Sequence, residues 1–145
     1  MIRKFIKIIL KNTIWLRQPT KFAKWLGVKI GDNSLIISHP NWGSEPYLIQ
    51  IGSHTEISFD VTFLTHDGGT WVFRNNPDYT GIMKFGKIII GDNCFIGCKS
   101  IIMPSVIIGD NCVVAAGSVV TKSIPSNQVW GGSLQNLLLT QKIIL

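Results

Sequence analysis

Aliphatic residues recur every six positions through the second half of the chain. Ile90, Ile96, Ile102, Ile108, Val114 and Val120 fall in step without a slip. Four residues after each comes Cys94, Ser100, Val106, Cys112, Ser118 or Ile124, mostly small. A period of six does not suit an α-helix, whose apolar face recurs at about 3, 4 and 7. It suits three short extended segments per turn of a β-solenoid, each carrying one aliphatic anchor. Residues 88–105 (IIIGDNCFIGCKSIIMPS) and 106–123 (VIIGDNCVVAAGSVVTKS) repeat one whole turn, with eight of eighteen positions identical. Their Gly-Asp-Asn turns at 91–93 and 109–111 should stack on one corner, where Asp and Asn side chains bond back to turn amides. Coils about 4.8 Å apart pair their backbones with the next, so none is stable alone. An ordinary β-sandwich with evenly spaced strands is the competing fold, and the strict period speaks against it.

The period also runs earlier, with interruptions. Ile30 and Ile36 are six apart, as are Ile51, Ile57 and Phe63. The phase breaks at 38–48 (SHPNWGSEPYL) and again at 64–87 (LTHDGGTWVFRNNPDYTGIMKFGK). Both stretches are rich in Gly, Pro, Asn, Trp and charge. They are predicted as loops thrown out of the solenoid, where a regular scaffold usually carries its binding site. Residues 2–18 read as an amphipathic helix, with Ile2, Phe5, Ile6, Ile9 and Leu10 on one face until Pro19 interrupts. The preferred role is a cap over the open end of the solenoid. The alternative is a surface for an anionic membrane or a lipid-linked substrate. The expected organisation is one domain, with a helical cap over 1–26, a β-helix over 27–132 and an atypical tail over 133–145.

Composition narrows the function classes. A chain of 145 residues, 46% hydrophobic, is one domain with a real core, and disorder is excluded as its general state. No apolar run reaches the ~18 residues of a spanning helix. Arg3, Lys4, Lys7 and Lys11 interrupt the apolar N-terminus, which suits a signal peptide poorly. The expected location is therefore cytoplasmic, with residues 1–24 able to lie against the inner membrane face. Cys94, Cys98 and Cys112 are an odd number without paired metal spacing, so free thiols are expected. Seven of the fourteen Lys and Arg lie in residues 1–24, ahead of the first acidic residue, Asp32. The remainder balances seven basic against eight acidic residues, and no nucleic-acid face is expected on the body.

The repeats, with GSEPYLIQIG at 43–52, FLTHDGGTWVF at 63–73 and AAGSVVTKSIP at 115–125, resemble the hexapeptide-repeat acetyltransferases. That group contains the galactoside, maltose, serine and xenobiotic acetyltransferases, and the likeness covers residues ~28 to 132. The second and third motifs look closest to members that acetylate sugars of bacterial surface polysaccharides. The resemblance implies an all-β, left-handed parallel β-helix, a homotrimer with sites between subunits, and acetyl-CoA running along the solenoid wall. It implies no metal. Residue by residue, His66 falls where the family places its catalytic histidine. Cys98 takes the place of a small residue lining the pantetheine channel, with Phe95 beside it. Ala116, Gly117, Thr121 and Lys122 match the segment that meets coenzyme A through backbone groups and near its phosphates. Small residues admit a ligand to the backbone, and a lysine suits a polyanion. The likeness stops at the chain's end, where LQNLLLTQKIIL replaces a Pro-Ala-Lys-like segment and a charged helix.

The residues themselves allow that chemistry. A sugar hydroxyl is a poor nucleophile, and a histidine is the natural base to deprotonate it. Backbone N–H groups of the solenoid are candidates to meet the resulting oxyanion. His66 is the histidine set in a Thr-His-Asp-Gly-Gly stretch. Asp67 is adjacent, but successive side chains on an extended segment point opposite ways, so Asp67 is placed with the acceptor instead. Glu45, in the other loop, is the expected orienter of His66 or a substrate contact; a structural loop acid is the bland alternative. Trp71 and Phe73 either support a sugar ring or anchor their loop, with Asn41 and Trp42 as weaker versions of the same case. Asp92, Asn93, Asp110 and Asn111 read as turn formers. His39, His54 and His66 raise a zinc alternative of the γ-carbonic-anhydrase kind, disfavoured because twelve residues from His54 to His66 put them on different faces. A non-catalytic scaffold solenoid is the rival from another class, with the odd C-terminus in its favour.

Overall fold

The computed structural model describes residues 17–133 and 136–140. The amphipathic stretch expected over 2–18 lies almost wholly outside the described residues. A helix, α1, spans Pro19–Leu26. Pro19, read from sequence as an interruption, begins this helix, because its fixed φ suits a first helical position. Gly27 ends it with φ 105, and the Val28 N–H donates back to the Ala23 carbonyl at 3.1 Å. Ala23 is fully buried, and the Thr20 hydroxyl accepts from the Ile36 N–H at 3.3 Å. The helix thus seals one end of the first coil.

The body is a left-handed parallel β-helix with three faces. The first face stacks Lys29–Ile30, Ile49–Ile51, Ile88–Ile90 and Ile107–Ile108, and a bridge from Ile108 to Ile124 extends it. On the second lie Leu35–Ile36, Glu56–Ile57, Phe95–Ile96, Val113–Val114 and Gln128–Gly131. The third holds Thr62–Phe63, Ile101–Ile102 and Val119–Val120, with Asn41 bridging to Thr62. Register converts the six-residue period into columns. Ile51, Ile90 and Ile108 are paired in line, as are Ile57, Ile96 and Val114, and Phe63, Ile102 and Val120. Every one of these nine is at most 2% exposed. The small residues four places on, Cys94, Ser100, Val106, Cys112 and Ser118, are buried too, so each six-residue unit points two side chains inward. The two buried serine hydroxyls among them are satisfied: Ser100 and Ser118 both donate to the Ala115 carbonyl.

The interruption expected over 38–48 is shorter in the structure. Trp42 continues the series of Ile30 and Ile36 at the same spacing, is buried, and stacks on Phe63 with ring centroids 5.0 Å apart. An indole filling an aliphatic slot disguised the period. Of the two roles open for Trp42, sugar support or an anchoring residue, the structure contains the second: it is a core residue, and the departure from the solenoid starts at Gly43.

The first corner is held by two side-chain ladders. Asn93 donates to Asn111 at 2.8 Å and Asn111 to Asn127 at 3.0 Å, while His54 Nδ1 lies 2.8 Å from Asn93 Oδ1. His54, Asn93, Asn111 and Asn127 all have φ between 52 and 64, a left-handed turn conformation that asparagine tolerates well. Beside them Asp92 accepts from the Ser53 N–H and Asp110 from the Asp92 N–H. The turn-forming role expected for these Asp and Asn residues is what the structure contains. At the far end the tail reverses, and Asn136–Thr140 pairs antiparallel with Gln128–Gly131. Leu138 Cδ1 would lie 2.8 Å from a Cβ on Gly131, so that glycine admits the returning strand.

Candidate active site

Residues 64–87 leave the solenoid between the third and first faces, and the chain first runs extended through His66–Asp67. This segment pairs antiparallel with Lys84–Phe85, His66 opposite Phe85, and the imidazole meets the Phe85 ring edge-on at 6.2 Å. The backbone on both sides of His66 is tied down: Asp67 accepts from the Gly69 N–H at 2.8 Å, and the Thr65 carbonyl accepts from Gly86 at 2.9 Å. Asp67 therefore caps the tight Gly68–Phe73 turn, and the alternation of an extended segment turns it away from its neighbour's job.

Glu45 reaches the same place from the other departure. Gly43 adopts φ 66, and a Cβ there would sit 2.9 Å from the Phe63 carbonyl oxygen and 3.1 Å from Thr65 Oγ1. Only a glycine brings the chain so close to the third face in that conformation. Asn41 accepts from the Gly43 N–H at 3.0 Å and braces the turn. Glu45 then leads into the Pro46–Leu48 turn, which directs its carboxylate inward. Glu45 Oε2 accepts from the Thr65 hydroxyl at 2.6 Å and lies 3.0 Å from His66 Nδ1. These two hydrogen bonds, Thr65 first and His66 second, hold the Glu45 carboxyl below its ordinary value. An ionised carboxylate only accepts, so Nδ1 carries the proton and Nε2 of a neutral ring keeps its lone pair. The His66 side chain remains 38% exposed, against 13% for Glu45. The arrangement is an imidazole held at Nδ1 with its side chain still open to solvent.

Trp71 and Phe73 do not anchor their loop. Trp71 is 71% exposed, with the Arg74 guanidinium 5.5 Å above its ring. Phe73, Tyr79 and Ile82 line a separate apolar pocket of about 280 Å³ in the same excursion.

The remaining sequence-predicted residues run in a strip from the second face, over the next corner and past the third face. Phe95 faces outward from the second face, half-exposed, and Cys98 follows at the corner. Gly117, one coil on, donates its N–H to the Cys98 carbonyl at 2.8 Å, which stacks Ala116 and Gly117 against Cys98. Gly117 has φ 70 and open space where a side chain would point. Thr121 and Lys122, both exposed, lie just beyond Val119–Val120 on the third face. Phe95, Cys98, Ala116 and Gly117 precede the third face, whereas Thr121 and Lys122 follow it at the corner from which the His66 excursion departs. A groove of about 460 Å³, lined by His54, Glu56, Phe95 and Val113 among others, runs along the second face away from His66.

Nothing in this geometry gathers the histidines. His39 is exposed, His54 is spent in the corner ladder, and His66 faces Glu45. Among the described residues no three His, Cys, Asp or Glu side chains could hold a metal ion together. Sequence reasoning passed over Thr65 and Gly43. Their signal was local: a Thr directly before the His, and a Gly two residues ahead of the acid that must reach it.

A family model for the hexapeptide repeat of succinyl-transferase matches residues 87–122. Protein CapG of Staphylococcus aureus is 49% identical over 135 residues, covering 92% of this chain and 74% of that protein. The crystal structure of a maltose O-acetyltransferase from Clostridium difficile 630 superposes with a TM-score of 0.67 at 31% identity, over 80% of this chain and 60% of that one. A hexapeptide-repeat acetyltransferase of Vibrio cholerae O1 biovar eltor, solved with acetyl-coenzyme A, gives 0.62 at 28% identity, over 80% and 61%. The chain thus spans about three-fifths of the length of those two solved proteins.

Proposed function

The chain belongs to the hexapeptide-repeat acetyltransferase family, and from that premise we propose that it transfers an acetyl group from acetyl-coenzyme A to a saccharide hydroxyl, with His66 as general base. The observation that carries the proposal is the single carboxylate oxygen shared by Thr65 and His66. It fixes the imidazole with its lone pair on Nε2, the nitrogen left to take a proton from an acceptor hydroxyl. The carboxylate then faces the imidazolium that forms and stabilises it. The same imidazolium is placed to return the proton to the departing thiolate, so the histidine ends the cycle neutral. Acetyl-coenzyme A supplies the activated acyl group as a thioester.

The strip from Phe95 to Lys122 suits that donor. Ala116 and Gly117 leave the backbone open to a narrow chain, Cys98 gives way to it, and Lys122 offers charge to phosphates. The Phe95–Gly117 part of the strip lies before the third face and the base after it, so we assign the complete site to two neighbouring chains of a homotrimer. Acetyl-coenzyme A as donor supports a cytoplasmic reaction. The acceptor class we assign is the sugars of a surface polysaccharide, with Trp71, Asp67 and Asn41 as the assigned acceptor contacts. A test is thiol release from acetyl-coenzyme A measured against a panel of free, nucleotide-linked and lipid-linked sugars. Turnover with at least one saccharide is expected; coenzyme A binding without turnover on any acceptor class would replace this reading with a scaffold.

A further inference from the structure

We infer that Thr65 is a positioning residue of the acyl transfer, a third member behind Glu45 and His66; the inference rests on the reading of His66 as the base. Three observations converge on it. Thr65 is 1% exposed, so its hydroxyl has no water to fall back on, and it donates at 2.6 Å to Glu45. It meets the same Oε2 that faces His66 Nδ1, so the hydroxyl fixes the very oxygen the imidazole depends on. Gly43, whose added Cβ would stand 3.1 Å from Thr65 Oγ1, keeps that approach clear.

A carboxylate on a loop can rotate about its terminal bond and swing its oxygens out of line with the imidazole. With the Thr65 hydroxyl bonded to Oε2, rotation breaks a buried hydrogen bond to a charged group, so one orientation is selected. The bond also favours the ionised carboxylate, which in turn demands a proton on Nδ1 and leaves Nε2 free. Thr65 thereby sets the protonation pattern of a ring that it does not touch. Position 65 needs a hydroxyl for this and the β-methyl only for packing.

The test compares Thr65→Val, which keeps the shape, with Thr65→Ser, which keeps the hydroxyl. In Thr65→Val, kcat should fall about 10- to 30-fold at unchanged KM for acetyl-coenzyme A, a loss of ~1.4–2 kcal/mol. The acid limb of the pH–rate profile should move to lower pH, because an imidazolium with a loosened carboxylate gives up its proton more readily. Thr65→Ser should restore both. Added to Glu45→Gln, Thr65→Val should cost almost nothing further, since the two act through one carboxylate. Nitrogen NMR of His66 in the parent at neutral pH should show the Nδ1–H tautomer, and Thr65→Val should admit the other; Thr65→Ala replaces the valine variant if that does not fold. A merely structural threonine would shift the melting temperature yet leave the acid limb and the tautomer alone, and that result overturns the inference. Loss of activity in His66→Ala alongside an unchanged Thr65→Val profile refutes only the role of Thr65. Retained activity in His66→Ala removes the base assignment and this inference with it.

Discussion

Replacing Glu45 by Gln preserves the side chain's shape and removes its charge. In the parent, Oε2 takes a hydrogen bond from Thr65 at 2.6 Å and faces Nδ1 of His66 at 3.0 Å. A Gln carbonyl oxygen can keep both contacts as neutral bonds. Hydrogen bonds to charged groups contribute about 1.5–3 kcal/mol and neutral ones about 0.5–1.5. The ground state therefore loses only ~1 kcal/mol. The transition state loses more, because it contains an imidazolium facing an amide where a carboxylate had been. Two charges at this separation in an effective dielectric near 20 attract by about 5 kcal/mol, and the solvent reaching the ring discounts that to ~1.5–3 kcal/mol. Set against the ground-state loss, the expected consequence is a fall in kcat of about 2- to 30-fold with KM for the donor unchanged. Initial rates of thiol release, taken as a function of pH, provide the assay. Stability supplies an independent readout. The Glu45 carboxyl lies below its ordinary value in the fold, so its contribution is present above that value and drains away as pH falls through the lower folded one. Glu45→Gln should lack that acid-side loss. Undiminished kcat in Glu45→Gln, with His66→Ala inactive, would show that the carboxylate does nothing for the imidazolium.

Other consequences follow from the solenoid itself. Burial raises the thiol of Cys94 to about 11 and that of Cys112 in the same direction, so an aromatic disulfide should modify only Cys98 in the native protein and all three thiols after unfolding. Coenzyme A should protect Cys98; labelling at an unchanged rate with donor bound would remove Cys98 from the donor strip. Asn111→Ala breaks two rungs of the corner ladder and puts a Cβ-bearing residue without a local hydrogen bond at φ 56. It should cost about 1–3 kcal/mol in denaturant unfolding, and a change within about 0.5 kcal/mol would mean that the ladder is ornamental.

The solenoid was legible because its period is set by backbone geometry, and a slip in phase would empty an inward column. Ile90 to Val120 show this without ambiguity. The period faded where a larger side chain took an inward slot, as with Trp42, since pattern reading expects an aliphatic there. His66 and Glu45 were legible as chemistry in two irregular segments, though no spacing along the chain brings residues 45 and 66 together. Their meeting depends on Gly43 turning the chain inward and on the third face lying beneath it. Thr65 was harder to see because a threonine before a histidine carries no pattern of its own; its role exists only once Glu45 arrives. The tail resisted reading for a similar reason. LQNLLLT has the look of either a helix or a strand, and the available edge at Gln128–Gly131 decides the outcome.

The central claim is that His66 takes the acceptor proton, and a single substitution addresses it. His66→Ala lies in the excursion outside the buried columns, so fold and coenzyme A binding should survive intact. Measured with the best saccharide acceptor at saturating acetyl-coenzyme A, kcat should drop by ~10²–10⁴-fold, the range for a positioned base. His39→Ala and His54→Ala, prepared in parallel, should retain most of the turnover. A folded, coenzyme A-binding His66→Ala that acetylates the same acceptor at the parent rate would contradict the account.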